Sequence, residues 1–144
     1  MNTASNKKRN HAEVVQRNTP QRALVLEVVK SLSNHPTSAE IFKEASERNQ
    51  SISKATVYRN LDVLVYLGQL RKIEMPEMAA RYDATLRPHG HAYCRRCGSL
   101  HDIDFVQSAD ITQMIADDYG FVIEGYKVVF EGLCPSCAIG KFKK

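Results

Sequence analysis

Residues 51–68 read SISKATVYRNLDVLVYLG, and this stretch decides the fold of the first half of the chain. Val57, Leu61 and Leu64 recur at the spacing of one helix face, which predicts a helix with an apolar stripe turned to a core. Gly68 stands where a glycine commonly ends a helix, because glycine adopts the left-handed conformation without strain. The stretch therefore predicts a helix with one buried face and one face turned to solvent.

Two further helices are predicted before it. Thr19 and Pro20 form a cap and a first helical turn, and apolar residues then follow at helical spacing: Leu24, Val25, Val28, Val29 and Leu32. Residues 34–36, Asn-His-Pro, break that helix. Ser38 is expected to cap the second helix, with Ile41, Phe42 and Ala45 on its inner face.

A small hairpin is predicted next, from two short antiparallel strands at 69–75 and 80–84 with a turn around Pro76. Three helices and a hairpin indicate a winged helix-turn-helix over residues 1–84. The residues through Tyr82 contain 13 Lys and Arg against 8 Asp and Glu, a basic excess that suits a polyanion such as DNA.

Residues 85–90 carry Pro and Gly and predict a hinge, and residues 91–144 predict a small α/β domain. The pattern there is strand (92–93), strand (100–103), helix (about 108–119) and strand (121–130). The last strand is apolar on both faces, so it needs cover on both, and a second copy of the chain could supply one. The expected fold class is α+β, and the expected assembly is a homodimer.

The N-terminus and the cysteines bear on location. The first residues, MNTASNKKRN, have no apolar stretch after their basic residues, and no apolar run approaches the ~20 residues of a membrane helix. We therefore expect a cytoplasmic protein with no membrane partner. Cysteines in that compartment are metal ligands or redox centres more often than disulfides.

The strongest local pattern is a pair of C-x-x-C motifs that uses all four cysteines, Cys94, Cys97, Cys134 and Cys137. Four thiolates satisfy tetrahedral Zn(II) at about 2.3 Å per bond and leave no open position. We therefore predict a structural zinc rather than a catalytic one. The alternative interpretation is four unrelated thiols or two redox-active pairs.

A second metal site is predicted at His89 and His91, just before the first cysteine pair. Two histidines separated by one residue in a strand point to the same face. Further candidate ligands are His35 and the nearby carboxylates Asp83, Asp102 and Asp104. Nitrogen with carboxylate oxygen suits exchangeable Fe(II), Mn(II), Zn(II) or Ni(II).

Over nearly its whole length the sequence resembles the ferric uptake regulator family. The matching motifs are Thr19-Pro20-Gln21-Arg22, His35-Pro36-Thr37 with Ser38-Ala39-Glu40-Ile41, Ala55-Thr56-Val57-Tyr58-Arg59-Asn60-Leu61, Arg81-Tyr82-Asp83, His89-Gly90-His91-Ala92-Tyr93-Cys94 and Cys134-Pro135-Ser136-Cys137. The resemblance implies a metal-dependent repressor with a winged helix, a dimerisation domain, a four-cysteine zinc and a regulatory metal at the hinge.

Carried onto matching positions, the resemblance assigns the regulatory metal to His35, Asp83, His89, His91 and Asp102. This set is similar to that of the peroxide-sensing members, in which bound Fe(II) directs oxidation of a ligand histidine, here His35 or His89, and Mn(II) represses without reacting. Arg59 departs from that branch and is more like the iron-uptake branch. Control of iron or manganese uptake is therefore the alternative function.

The third predicted helix should read DNA. With its apolar stripe turned inward, Ser53, Thr56, Arg59 and Asn60 are expected toward the major groove and Tyr58 near its edge. Lys54, Arg17 and Arg22 are expected at phosphates. The partner would be a palindromic double-stranded operator.

Two other functional classes share parts of this pattern. A metallohydrolase would also use an H-x-H pair with aspartates, but Tyr93 and Cys94 follow the pair where such enzymes commonly continue with Asp-His. A zinc module that binds only protein partners would bind no palindromic DNA at any metal loading. We expect a regulator and not an enzyme.

Overall fold

The computed structural model describes residues 18–104, 115–117, 119–124 and 126–139. The chain divides into two compact units, the first ending at Leu86 and the second beginning at Arg87. The described part of the first unit contains three helices and a two-stranded sheet, and that of the second contains a three-stranded sheet and a short helix. The α+β prediction is confirmed. Among the described residues, no helix is both long and apolar enough to cross a membrane.

The first unit is built on helices α1 (Pro20–Ser31), α2 (Ser38–Arg48) and α3 (Lys54–Tyr66). Thr19 caps α1 by accepting a hydrogen bond from the Arg22 amide at 3.2 Å, as the sequence predicts. Ser53 caps α3 in the same way through the Thr56 amide at 3.1 Å. Gly68 follows α3 with φ +69°, the left-handed conformation in which glycine ends a helix.

The cap of α2 differs from the prediction. Thr37 is the N-cap, and Ser38 is the first helical residue. The Thr37 hydroxyl accepts from the Glu40 amide at 3.3 Å, and the Glu40 carboxylate accepts from the Thr37 amide at 2.7 Å. This capping box requires an acid three residues after the cap, and Ser38 has Ile41 there.

The predicted hairpin is present as β1 (Arg71–Ile73) and β2 (Arg81–Asp83), paired antiparallel with Ile73 opposite Arg81. Tyr82 packs from this hairpin onto the core between the helices. The buried core residues are Val25, Val28, Val29, Ile41, Ala45, Ile52, Val57, Leu61, Leu64, Leu70 and Tyr82. The predicted apolar stripe of α3 therefore does face the core.

The second unit contains β3 (Gly90–Cys94), β4 (Leu100–Ile103), β5 (Val129–Gly132) and the short helix α4 (Pro135–Ala138). The strand order is β4-β3-β5, with β4 antiparallel and β5 parallel to β3. The strands predicted at 92–93 and 100–103 are confirmed. Of the helix predicted at about 108–119, residues 108–114 and 118 lie outside the described residues, and 115–117 and 119 are not helical.

The strand predicted over 121–130 is wrong for most of its length. Residues 121–124 and 126–128 are not in a strand, and β5 begins only at Val129. The partner strand explains the boundary: His91 pairs with Val129, and β3 itself starts one residue earlier, two residues after Pro88. Among the described residues, 121–124 and 126–128 pair with no strand, and Val122 in this segment is 86% exposed.

Candidate metal centres

The two C-x-x-C motifs are brought together by the parallel pairing of β3 with β5. Cys94 ends β3 and lies opposite Gly132, so that Cys134, two residues further along, reaches the same end of the sheet. The Arg95 amide donates to the Gly132 carbonyl at 3.0 Å, which continues the contact beyond the strands. Motifs separated by 37 residues in sequence thus meet at one point in space.

Each motif is held by local hydrogen bonds. In the first, the Gly98 amide donates to the Cys94 carbonyl at 2.9 Å, and the Cys94 amide donates to the Ser99 carbonyl at 2.9 Å. Gly98 has φ +74°, which an L side chain rarely adopts. In the second, Cys134 is the N-cap residue of α4, and the Cys137 amide donates to the Cys134 carbonyl at 3.0 Å. Both motifs are therefore tight turns that direct two sulfurs the same way.

The four sulfurs fit a tetrahedral metal. All ligand atoms of the cluster lie within 4.8 Å of one another, and Sγ of Cys97 is 3.7 Å from Sγ of Cys134. Tetrahedral Zn(II) with bonds of about 2.3 Å requires sulfurs about 3.8 Å apart. The four cysteines are free thiols, so the arrangement is a ligand cluster and not a pair of disulfides.

The electrostatics of the cluster also favour a cation. Hydrogen bonding from the backbone of Cys134 and Cys97 lowers the pKa of Cys94 to about 6. The hydroxyl and backbone of Ser99 lower the pKa of Cys97. Cys137, in contact with Cys134 and the other sulfurs, has its pKa raised to about 12. Four thiolates so close together repel one another, and a divalent cation removes that repulsion.

In the first unit, His35 and Asp83 lie together as predicted. His35 Nε2 is 3.9 Å from Asp83 Oδ2, and both side chains are buried. His35 lies in the loop between α1 and α2 with φ +51°, and Asp83 is the last residue of β2. The hairpin holds this loop, because the Tyr82 amide donates to the Pro36 carbonyl at 2.9 Å.

Arg81 is a residue that the sequence reasoning missed. Its Nη1 donates to the carbonyl oxygens of Asn34 at 3.4 Å and of His35 at 3.3 Å. These contacts hold the backbone of His35 in its left-handed conformation. The Arg-Tyr-Asp motif contained the signal, because Arg81 and Asp83 alternate with Tyr82 and belong to one face of β2.

In the second unit, His89, His91 and Asp102 converge. The two Nε2 atoms of His89 and His91 are 3.1 Å apart, which confirms that the imidazoles share a face. Oδ1 of Asp102 lies 3.1 Å from His89 Nε2 and 3.5 Å from His91 Nε2. The β3–β4 register places His91 directly opposite Asp102, so the sheet itself assembles these three side chains.

The tautomer of His89 prepares it to bind a metal. Its Nδ1 is 2.7 Å from the carbonyl oxygen of Arg87, which only accepts, so Nδ1 carries the proton and Nε2 offers a lone pair. That lone pair points toward His91 and a carboxylate oxygen of Asp102. Electron-rich atoms converging in this way need a proton or a cation among them, and the donor set of two nitrogens and one oxygen suits a divalent cation.

The geometry favours Asp102 over Asp104 as the candidate ligand. Asp104 accepts a hydrogen bond from Arg87 Nη1 at 2.5 Å, and this contact holds the pKa of its carboxyl below the ordinary value. Its side chain is 81% exposed, whereas that of Asp102 is 32% exposed and faces the two histidines. Asp102 is therefore the better ligand candidate, in agreement with the set predicted by resemblance.

The candidate DNA face of α3 is narrower than predicted. Lys54 and Arg59 are exposed, and Thr56 and Tyr58 are half-buried, with Lys54 Nζ 5.5 Å from the Tyr58 ring centroid. The exposed Ser53 hydroxyl is 2.8 Å from that of Thr56.

Two predicted DNA contacts are buried instead. Asn60 is only 7% exposed, because it lies beside the core residues Val57 and Leu64 on the helix surface, and Arg22 is 6% exposed. Contrary to the prediction, neither side chain is available to solvent or DNA in this structure. Arg17, the remaining predicted phosphate contact, lies outside the described residues.

The comparisons with known proteins agree with this architecture. The model of the ferric uptake regulator family matches residues 13–131. The peroxide operon regulator of Bacillus subtilis is 30% identical over 120 residues, which span 83% of each chain. The peroxide stress regulator of Campylobacter jejuni superimposes with a TM-score of 0.63 at 29% identity, over 82% of this chain and 89% of that one. A zinc uptake regulator solved with zinc and DNA has the same fold, with a TM-score of 0.70 at 24% identity over 90% and 89% of the chains.

Proposed function

The chain belongs to the ferric uptake regulator family, and we propose that within it this protein is a metal-dependent transcriptional repressor that responds to hydrogen peroxide. Its Zn(II) is structural and is held by Cys94, Cys97, Cys134 and Cys137. Its regulatory Fe(II) or Mn(II) is held by His35, Asp83, His89, His91 and Asp102. It acts stoichiometrically, as a sensor and not as an enzyme.

The observation that carries the proposal is the chemistry of the second ligand set. His89, His91 and Asp102 bring two nitrogens and an oxygen together, in a ligand group separate from the four cysteines. Nitrogen and oxygen donors bind Fe(II) and Mn(II) reversibly, whereas four thiolates hold zinc permanently. One chain thus carries a permanent metal and an exchangeable one, which is what a metal-responsive regulator needs.

We propose that the same exchangeable cation also takes His35 and Asp83 from the first unit. Metal binding would then select an arrangement of the units that suits DNA. A change of about 100-fold in DNA affinity requires only about 2.7 kcal/mol of differential metal binding. Replacing His35 by Ala should abolish metal-dependent DNA binding.

Peroxide sensing follows from the choice of metal. Fe(II) supplies the redox chemistry that Mn(II) lacks. In the net reaction the imidazole of His35 or His89 gains one oxygen atom, and peroxide leaves as water. The oxidised ring is a poor ligand, so the cation is lost and the repressor leaves DNA. Relatives named for their peroxide response support this function.

We further propose that the protein binds a palindromic operator as a homodimer. Three helices and a hairpin are the elements of a winged helix-turn-helix, and α3 carries the exposed base-reading and phosphate-binding candidates Arg59 and Lys54. In the second unit, exposed apolar side chains such as Phe121 and Val122 are the kind of surface that a second copy covers.

The alternative within the family is a repressor of iron or manganese uptake. Arg59, which is similar to the iron-uptake branch and is exposed on α3, favours it. A metallohydrolase and a zinc module restricted to protein partners are both disfavoured by membership of a family of regulators.

Mass spectrometry of the Fe(II)-loaded repressor on operator DNA, before and after a brief low dose of peroxide, separates these functions. We expect one added oxygen on a peptide that contains His35 or His89, together with release of DNA and an intact zinc site. The Mn(II)-loaded protein is the matched control and should neither gain oxygen nor dissociate. An unmodified Fe(II) protein still bound to DNA would contradict peroxide sensing and favour control of metal uptake.

A further inference from the structure

Ser99 and His101 are not ligands of either metal centre described above, yet both lie beside the four-cysteine cluster. Ser99 lies just before β4, and His101 is its second residue. Side chains two residues apart in an extended chain share a face, and here they form a line. The Ser99 hydroxyl is 3.0 Å from Cys97 Sγ, and His101 Nε2 is 3.0 Å from the same hydroxyl.

The polarity of this line follows from the state of the sulfur. A zinc-bound cysteine is a thiolate, which accepts hydrogen bonds and cannot donate them. The single hydroxyl proton of Ser99 must therefore go to Cys97. The Ser99 oxygen then accepts from His101, whose proton is consequently on Nε2. Each bond in such a chain strengthens the next by polarising it.

The position of Ser99 is set by the turn that carries the first cysteine pair. The Cys94 amide donates to the Ser99 carbonyl at 2.9 Å. This backbone contact directs the Ser99 hydroxyl at Cys97, the second cysteine of the same motif. Among the four ligands Cys97 is the exposed one, while Cys94 is buried and the other two are half-buried. Cys97 is thus the thiolate that water and competing chelators reach first.

We propose that Ser99 and His101 form an outer hydrogen-bonded layer of the four-cysteine site, which disperses charge from Cys97 and retards loss of its zinc. This inference rests on zinc at the cysteine cluster and is independent of whether the regulatory site responds to peroxide or to metal supply. Ser99 and His101 are positioning residues, since they touch the ligand and not the metal.

The test is transfer of zinc from the full-length, zinc-loaded protein to a competing chelator, measured at equilibrium and as a rate. Loss of an outer-shell partner commonly weakens metal binding about 10- to 100-fold. We expect a loss of about 10-fold for Ser99→Ala and a smaller loss for His101→Ala, because the latter acts through the hydroxyl. Ser99→Thr keeps the hydroxyl and should stay within about twofold of the parent, a difference of about 0.4 kcal/mol.

The double variant distinguishes a relay from two separate effects. If His101 acts through Ser99, Ser99→Ala with His101→Ala should lose no more zinc affinity than Ser99→Ala alone. Ser46→Ala is the matched control, because the Ser46 hydroxyl is exposed and bonds only a carbonyl of its own helix among the contacts described, at 2.8 Å from Lys43 O. The zinc affinity of Ser46→Ala should equal that of the parent protein.

A spectroscopic readout separates charge dispersal from a merely structural role. In the Co(II)-substituted protein, removing a hydrogen bond from a thiolate raises the energy of the sulfur lone pair and moves the sulfur-to-cobalt charge-transfer band to lower energy. We expect this shift in Ser99→Ala, a smaller one in His101→Ala and none in Ser99→Thr. Unchanged bands and zinc affinity in Ser99→Ala, additive losses in the double variant, or a Thr variant as weak as the Ala variant would each overturn the proposal.

Discussion

His35 adopts a backbone conformation that its own chemistry does not favour. At φ +51° the Cβ of a non-glycine residue crowds the following carbonyl, at a cost of about 1–2 kcal/mol. The surrounding structure must hold the residue there, and Arg81 does so through the carbonyl oxygens of Asn34 and His35. Because the backbone of His35 is already restrained beside Asp83, little further backbone entropy is lost when a metal binds.

Replacing Arg81 by Ala should therefore weaken the regulatory metal while leaving every proposed ligand in place. We expect a loss of roughly 10-fold in Mn(II) affinity, as for other outer partners of metal ligands, measured by isothermal titration calorimetry. Arg48→Ala is the control, because the Arg48 guanidinium pairs instead with Glu44 along α2, with Nη2 2.8 Å from Oε1. Equal losses in the two variants would show that Arg81 has no special role at His35.

Asp102 and Asp104 show what the sequence could not decide at this scale. Both are carboxylates after the same cysteine pair, and residues two apart in an extended chain share a face. The distinction depends on long-range facts: His91 pairs with Asp102 across the sheet, and Arg87 engages Asp104. The H-x-H pair was predictable because its spacing alone places both imidazoles on one face.

The two aspartates can be tested against each other. Asp102→Asn removes the charge of a proposed ligand. It should reduce Mn(II) affinity at least as much as loss of a residue that only hydrogen-bonds to a ligand, which is roughly 10- to 100-fold. Asp104→Asn should change the affinity less than about twofold, since Asp104 is paired with Arg87 and largely exposed. Competition with a metal-sensitive dye measures both. The reverse order of effects would make Asp104 the ligand.

Whole helices were predictable where local chemistry marks their ends. Thr19 with Pro20 begins α1, and Gly68 follows α3, because caps and left-handed glycines act within one turn. Asn60 shows the limit of the same reasoning. A stripe of three apolar residues does not specify how wide the buried face is, and packing extends it to Asn60.

The exposed face of α3 leads to a prediction about DNA. Arg59→Ala should lose affinity mainly for operators with the matching base pair, by about 1–3 kcal/mol, as for loss of one base contact. Lys54→Ala should weaken binding to all DNA sequences. It should also reduce by about 1 the steepness with which the logarithm of the binding constant falls with the logarithm of salt concentration. Fluorescence anisotropy over a salt series, with Lys30→Ala at the end of α1 as control, measures this. A sequence-independent loss for Arg59→Ala would assign it to phosphate.

At the scale of the whole molecule, the two units are stabilised by different means. The first has a core of buried apolar side chains contributed by all three helices and the hairpin. In the described part of the second unit, the buried apolar side chains are Cys94 and Leu100. Small domains with few buried apolar side chains commonly need a metal or a disulfide for stability.

The strand predicted over 121–130 failed for a related reason. Its alternating apolar residues are a true property of the sequence, but a strand also needs a neighbour for its backbone groups. Within one chain, β3 supplies that neighbour only from Val129 onward. A sequence pattern can report that a segment requires cover; it does not say whether the same chain provides it.

Removal of zinc should therefore unfold one unit and spare the other. Structural zinc contributes about 10–16 kcal/mol to folding of small zinc domains, and here the four cysteines lie at one end of the β3–β5 pair. We expect the amides of β3, β4 and β5 to lose protection from hydrogen exchange after chelation under reducing conditions, while those of α1, α2 and α3 keep theirs. Peptide-resolved mass spectrometry of the full chain measures both at once, and removal of only the exchangeable metal is the control. Loss of protection in the helices as well would mean that the units unfold together, and a protected sheet would mean that the cysteine cluster is not what holds it.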